Sequence, residues 1–324
     1  MSAPAIPIVH FPWLISRNQD LTWFIGSGLI SYLAIAALAL GTPAPLLFFV
    51  WIFLLDGPHV ISTVTRTYMD DQERRHLGLL LWIIVPTVLI GPLALWGGLE
   101  QEFFIAASFW QAWHVAKQHF GFVMLYKAKS QDRTDLLLDK WTLLGCYMIP
   151  FMCFWLSIMG ITIWYMAAAY LALISIFLVR QVQNRVNLQP INAPKLMLFA
   201  CVLPLQWVAF AHAAPFGIEG AVRMAMAGGL FHALQYHRLI LFHNRNRYEG
   251  ADAPPLAAFF SHNLLAYLCL VIGLYGAVAY VGGLSLYLQA ATWGFAFSHY
   301  VLDSRIWRLR EDKKLVSALR LAAA

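Results

Sequence analysis

The sequence predicts an all-α protein, a polytopic membrane helix bundle of about ten transmembrane helices with both termini in the cytoplasm. The first observation is composition: 60% of the 324 residues are hydrophobic and only 12% are charged, whereas a soluble domain is about half apolar and about a quarter charged. The second is a series of apolar segments long enough to cross a bilayer. The third is that basic residues fall on alternate connections between those segments. Together they predict a multi-pass protein of the plasma (inner) membrane.

Each predicted span has about 20 mostly apolar residues, which is enough to cross roughly 30 Å of hydrocarbon. The predicted spans are 21–40, 45–65, 77–97, 103–125, 138–158, 161–179, 195–213, 219–241, 258–281 and 284–304. Residues 1–20 form a predicted N-terminal interfacial segment, residues 21–304 the transmembrane helical bundle, and residues 305–324 a basic cytoplasmic tail.

The distribution of basic residues predicts the orientation. Of the 22 Lys and Arg residues, only Lys117 and Arg223 lie well inside spans, and the other 20 lie in the terminal segments, in the connections after even-numbered spans or at the span ends next to those connections. Lys and Arg mark the cytoplasmic side of membrane proteins, so both termini and the loops after spans two, four, six and eight are expected there. The net charge of +6 follows from this asymmetry. We expect no nucleic-acid partner, since no basic residue is interleaved with a stacking surface.

Histidines concentrate at one depth in this arrangement. Four helices that run in the same direction each deliver imidazole within about 15 Å of the cytoplasmic surface. The six histidines of this layer, all candidate metal ligands, are His59, His114, His119, His232, His237 and His299. A single intramembrane histidine usually serves as a helix–helix hydrogen-bonding residue, and that interpretation is kept for His10, His76, His212, His243 and His262. The four cysteines lack metal or redox spacing and are interpreted as core packing.

Polar companions accompany these histidines. Asp56 precedes His59 by three residues and Asp303 follows His299 by four, spacings that make neighbours on a helix. Such groups usually accept the second N–H of a ligating histidine. Asp56, Asp303 and the intramembrane Lys117 are the candidate catalytic residues, and Lys117 could instead pair with either carboxylate or touch a substrate head group. Three amides are expected to support the bound cofactor: Gln111, Gln118 and Gln235.

Two helices carry the same doublet, His-x4-His, at His114/His119 and at His232/His237. Positions i and i+5 of an α-helix are about 140° apart, so both imidazoles cannot point straight at one ion. Either a π-bulge brings them together, or one histidine binds the metal and the other supports it. The sequence leaves both alternatives open, and with them one or two metal ions.

Four motifs resemble those of the Brp/Blh-like β-carotene 15,15′-dioxygenase family, which consists of His-rich integral membrane iron oxygenases. In chain order they are "GPHVIST" (57–63), "QHFGF" (118–122), "FHALQYHRL" (231–239) and "SHYVLD" (298–303). The resemblance implies that His59, His119, His299 and one or both of the span-eight histidines are metal ligands or their first neighbours. The chain departs from the family pattern at Val60, Thr63 and Ser298 and in the wider doublet spacing.

The favoured function is therefore a membrane-embedded oxygenase with His-ligated non-haem iron. It would use O₂ on an apolar, lipid-like or carotenoid-like small molecule that enters from the bilayer. An all-histidine site also suits Zn or Cu, which leaves three alternatives open. These are a zinc-dependent lipid hydrolase with Asp56 or Asp303 as base, a bis-His haem or quinone redox protein, and a transporter.

Overall fold

The computed structural model describes residues 8–250 and 253–321, apart from the side chain of Leu77. About 82% of the chain is helical, so the predicted all-α class is confirmed. Parts of the predicted N-terminal segment, of the loop after span eight and of the basic tail lie outside the described residues.

The described α-helices are α1 (Arg17–Gln19), α2 (Ser27–Ala39), α3 (Ala44–Trp51), α4 (Gly57–Arg66), α5 (Asp71–Arg74), α6 (Leu77–Trp96), α7 (Glu100–Ser130), α8 (Leu136–Ile158), α9 (Trp164–Val186), α10 (Ala193–Ala213), α11 (Gly220–Arg247), α12 (Pro255–His262), α13 (Leu264–Gly282), α14 (Leu286–Ile306) and α15 (Lys313–Ala318). Two π-helical segments, Asp20–Ile25 and Ile52–Asp56, and one 3₁₀ segment, Ala214–Glu219, join them. Two short strands, β1 (Val9–His10) and β2 (Ile191–Asn192), pair in parallel.

Seven helical stretches of the described chain are long and apolar enough to cross a membrane: Arg17–Ala39, Ala44–Arg66, Gly78–Trp96, Leu136–Ile158, Trp164–Val186, Ala193–Arg247 and Leu264–Gly282. They are compatible with a multi-pass membrane protein. The stretch Ala193–Arg247 contains two helices, α10 and α11, on either side of the 3₁₀ segment. Helix α7 covers the predicted span 103–125 and α14 covers most of the predicted span 284–304, but both fall outside these seven stretches. The count of about ten spans and the cytoplasmic position of the termini stay predictions.

The chain divides into two compact units, with boundaries after Ala44 at the start of α3, within α7, within α11 and after Arg320. The first unit comprises Met1–Ala44, Ala112–His232 and Leu321–Ala324. Within it α8 packs against α9 and α10. A buried ion cluster joins α7, α8 and α10, because the ammonium groups of Lys127 and Lys195 both lie against the carboxylate of Asp139.

The second unit comprises Pro45–Gln111 and Ala233–Arg320. Helix α14 packs closely along α6, and an added Cβ at Gly91 or Gly294 would collide with the backbone of the facing helix. At Gly57, α4 packs against the ring of Tyr275 on α13, which leaves no space for a Cβ. Small residues let helix backbones approach in this way. These contacts place the histidine-bearing segments of α4 and α14 side by side.

Candidate metal centre

A π-helical turn introduces the first histidine. Pro58 lacks a backbone N–H and its ring clashes with the preceding turn of a regular helix. The chain widens there, and the N–H of Gly57 bonds to the carbonyl oxygen of Ile52, five residues back. π-turns of this kind are frequent at functional sites. His59 is the third residue of α4 and is buried.

His59 and His299 form a close imidazole pair. Their Nε2 atoms are 2.8 Å apart, and the rings meet edge to face with centroids 4.4 Å apart. Each side chain is only 1% exposed. Two nitrogens that each lie about 2.1 Å from one ion at a right angle are about 3 Å apart. The observed separation therefore fits two ligands of one metal as well as a shared proton.

The other nitrogen of His299 has a hydroxyl partner. Nδ1 of His299 lies 2.6 Å from Oγ1 of Thr63 and 3.5 Å from Oδ1 of Asp303. The hydroxyl of Tyr236 donates to the same Asp303 oxygen at 2.7 Å and lies 3.2 Å from Oγ1 of Thr63. The Tyr236 ring also stacks on His59, with centroids 4.5 Å apart and planes inclined by 9°. Tyr236 therefore contacts His59 through its ring and the neighbours of His299, Thr63 and Asp303, through its hydroxyl.

A second imidazole pair is formed by α7 and α11. The rings of His114 and His232 meet edge to face with centroids 4.9 Å apart. His114 is 7% exposed and His232 is 2% exposed. Gln118 donates from Nε2 to the backbone carbonyl of His232 at 2.9 Å, and its expected support of a bound cofactor stays a prediction. The amide thus ties α7 to α11 at the level of the second pair.

Among the described residues, four buried histidines form a group that could hold a metal ion: His59, His114, His232 and His299. Each offers one ring nitrogen, and these four nitrogens all lie within 4.8 Å of one another. Four neutral imidazoles suit Fe, Zn or Cu, and a closed, buried set of nitrogen donors does not suit Mg or Ca. The residues present therefore fit a transition-metal ion, whose identity the donors alone do not fix.

The remaining two histidines of the predicted layer are not in that group. His119 bonds through Nδ1 to the carbonyl of Val115 at 2.9 Å, and its Nε2 lies 3.3 Å from the hydroxyl of Tyr147. His237 bonds through Nε2 to the carbonyl of Leu55 at 3.0 Å and through Nδ1 to Tyr267. Each ring has a protein partner at both nitrogens.

Neither doublet lies on the π-bulge that the first of the two sequence alternatives requires. Helices α7 and α11 are α-helical throughout, and the π-helical segments lie elsewhere, at Asp20–Ile25 and Ile52–Asp56. With no π-bulge to bring the doublets together, only the first histidine of each joins the group of four. This outcome follows from the rotation of about 140° between positions i and i+5.

The candidate catalytic residues divide by location. Asp303 lies beside His299, and Asp56 is 9% exposed one turn before His59. Lys117 is exposed and its ammonium lies over the ring of Phe120, 5.7 Å from the centroid. The pairing of Lys117 with either carboxylate stays a prediction.

The two other amides differ in burial, because Gln111 is partly exposed whereas Gln235 is fully buried. Sequence reasoning did not select Thr63 or Tyr236. Thr63 follows His59 by four residues on one face of α4, which is the one signal that could have identified it.

No family model matches the chain, and no curated protein or solved structure matches it. The resemblance to the Brp/Blh-like family therefore stays a prediction that rests on the four short motifs.

Proposed function

We propose that the protein is a membrane-embedded metal oxygenase in which His59, His114, His232 and His299 hold one non-haem iron ion. The observation that carries the proposal is the group of four buried ring nitrogens within 4.8 Å of one another. Polar side chains are costly in a membrane and usually mark function. Four imidazoles gathered with no carboxylate among them provide the neutral nitrogen donors that a transition metal prefers.

The substrate class in this proposal is an apolar, lipid-like or carotenoid-like molecule. When bound, iron would supply the binding and activation of O₂. The chain's own residues hold the imidazoles in place, exclude water through burial and orient His299 through Thr63. Both O₂ and an apolar substrate are soluble in the bilayer, so both can reach a buried site from lipid. The four sequence motifs support iron over zinc.

A haem between the two helices that carry the doublets is not favoured. The rings of His114 and His232 meet edge to face at 4.9 Å, which leaves no room for a macrocycle between them. Zinc fits the donor set as well as iron does, but a zinc site would support hydrolysis and an iron site oxygenation.

The deciding experiment loads purified protein with Fe(II) or Zn(II) and measures turnover of carotenoid and membrane-lipid substrates with and without O₂. The proposal predicts oxygen uptake and product only with Fe(II) and O₂. His299→Ala should abolish turnover, and His76→Ala, which alters an exposed histidine outside the group, should not. Turnover with Zn(II) under strict anoxia would replace the oxygenase by a hydrolase.

A further inference from the structure

A chain of hydrogen bonds leads from His299 to a carboxylate through two hydroxyl groups. It runs from Nδ1 of His299 to Thr63 over 2.6 Å, from Thr63 to Tyr236 over 3.2 Å, and from Tyr236 to Asp303 over 2.7 Å. Thr63 is 3% exposed and Tyr236 is 1% exposed. Three helices, α4, α11 and α14, each contribute to this chain.

The order of donors in this chain follows from its last member. Tyr236 uses its only O–H to donate to Asp303, so its oxygen can only accept from Thr63. Thr63 then uses its own O–H toward Tyr236, and its oxygen accepts from Nδ1–H of His299. A neutral imidazole protonated at Nδ1 carries its lone pair on Nε2. That nitrogen is the one that lies 2.8 Å from Nε2 of His59.

We infer that Thr63 is a positioning residue that fixes His299 as the Nδ1–H tautomer and so directs the Nε2 lone pair to the metal. The consequence for metal affinity rests on the proposed function, whereas the tautomer itself does not. Asp303 lies 3.5 Å from Nδ1 of His299, which is too long for a direct hydrogen bond. The carboxylate therefore acts through Tyr236 and Thr63.

Tyr236 links this series of hydrogen bonds to the second imidazole, that of His59. Its ring stacks almost parallel on His59, while its hydroxyl continues the chain toward His299. Rotation of the Tyr236 side chain would therefore disturb both imidazoles together. Thr63 is the better residue to alter, because its change to Val removes one hydroxyl and keeps the branched shape.

The test compares Thr63→Val with Thr63→Ser and with Thr67→Val. Thr67 is a fully buried threonine four residues further on, and its hydroxyl donates only to the backbone carbonyl of Thr63. The first readout is ¹⁵N NMR of histidine-labelled, metal-free protein, with the His299 signal assigned by its absence in His299→Asn. The second is Fe(II) and Co(II) affinity by titration.

Wild type, Thr63→Ser and Thr67→Val should show His299 as the Nδ1–H tautomer, and Thr63→Val should show a tautomer mixture. Thr63→Val should weaken metal binding about 10- to 100-fold, the range for groups that orient a ligand, with recovery in Thr63→Ser. An unchanged His299 tautomer in folded Thr63→Val overturns the inference and leaves the proposed function intact. A wild type that binds neither metal but shows the Thr63-dependent tautomer overturns the proposed function alone.

Discussion

Asp139→Asn is expected to remove the balancing charge of the buried ion cluster in the first unit. The ammonium of Lys127 donates to Asp139 at 2.9 Å, to Asp132 at 3.0 Å and to the carbonyl of Thr134, so all three of its donors are used. Lys195 lies 3.2 Å from the same Asp139 oxygen and 3.7 Å from Asp132. Two cations thus balance two anions.

The magnitude follows from burial. The side chains of Lys127 and Asp139 are 1% and 0% exposed, and that of Lys195 is 4% exposed. Neutralising Asp139 leaves two buried cations against the single carboxylate of Asp132. Breaking a buried ion pair by removing one partner costs about 3–5 kcal/mol, and we expect Asp139→Asn to lower the free energy of unfolding by that amount.

The assay is equilibrium chemical unfolding in detergent micelles, followed by tryptophan fluorescence and far-UV circular dichroism. Asp71→Asn is the matched control, because Asp71 forms a solvent-exposed ion pair with Arg74, with side chains 51% and 59% exposed. An exposed pair contributes at most about 1 kcal/mol. Adding Lys195→Met to Asp139→Asn should recover most of the loss, since one cation and Asp132 then remain paired.

The reasoning would be refuted if Asp139→Asn and Asp71→Asn changed the free energy of unfolding equally. It would also fail if Lys195→Met made the Asp139→Asn protein still less stable.

Gly57→Ala should destabilise the protein by about 1–3 kcal/mol, because the new Cβ would lie under 3.0 Å from a tyrosine ring of α13. Thermal unfolding measures the loss, and Gly78→Ala is the control because the space around Gly78 is open. Burial alone would raise the pKa of Asp70, but a backbone N–H at the start of α5 and a guanidinium from α11 hold that pKa below its ordinary 3.8. This stabilisation is complete above pH about 4 and is lost as the pH falls through the lowered pKa, so Asp70→Asn should flatten the acid limb of a stability–pH curve. In elemental analysis, His119→Gln should retain bound metal and His299→Ala should lose it, since His299 belongs to the group of four and His119 does not. Loss of metal in both variants would make His119 a ligand again.

The helices were predictable because apolar segments of spanning length leave few other structures in a membrane. Each predicted span overlaps a described helix. The π-helical segment Ile52–Asp56 was not predictable, because it depends on how Pro58 and the close contact at Gly57 are accommodated together. Lys127 and Lys195 were counted only as cytoplasmic-side charges, and their burial depends on a carboxylate from another helix.

The residue type of the candidate site was predictable. All four histidines of the group were in the predicted layer. Which histidine of each doublet joins the group depends on helix rotation, which spacing alone does not supply. The role of Thr63 was not predictable, because a threonine on a membrane helix commonly hydrogen-bonds to its own backbone. Only the position of α14 shows that the hydroxyl of Thr63 lies within hydrogen-bond distance of His299.

The central claim is that four buried histidines hold a transition-metal ion. Its most direct test is elemental analysis of protein purified in detergent without added metal, followed by titration of the stripped protein with Fe(II). The account predicts about one iron per chain in wild type, and less than about a tenth of that after His59→Ala or His232→Ala. Wild-type protein that carries no transition metal and binds neither Fe(II), Zn(II) nor Cu(II) after stripping would contradict it.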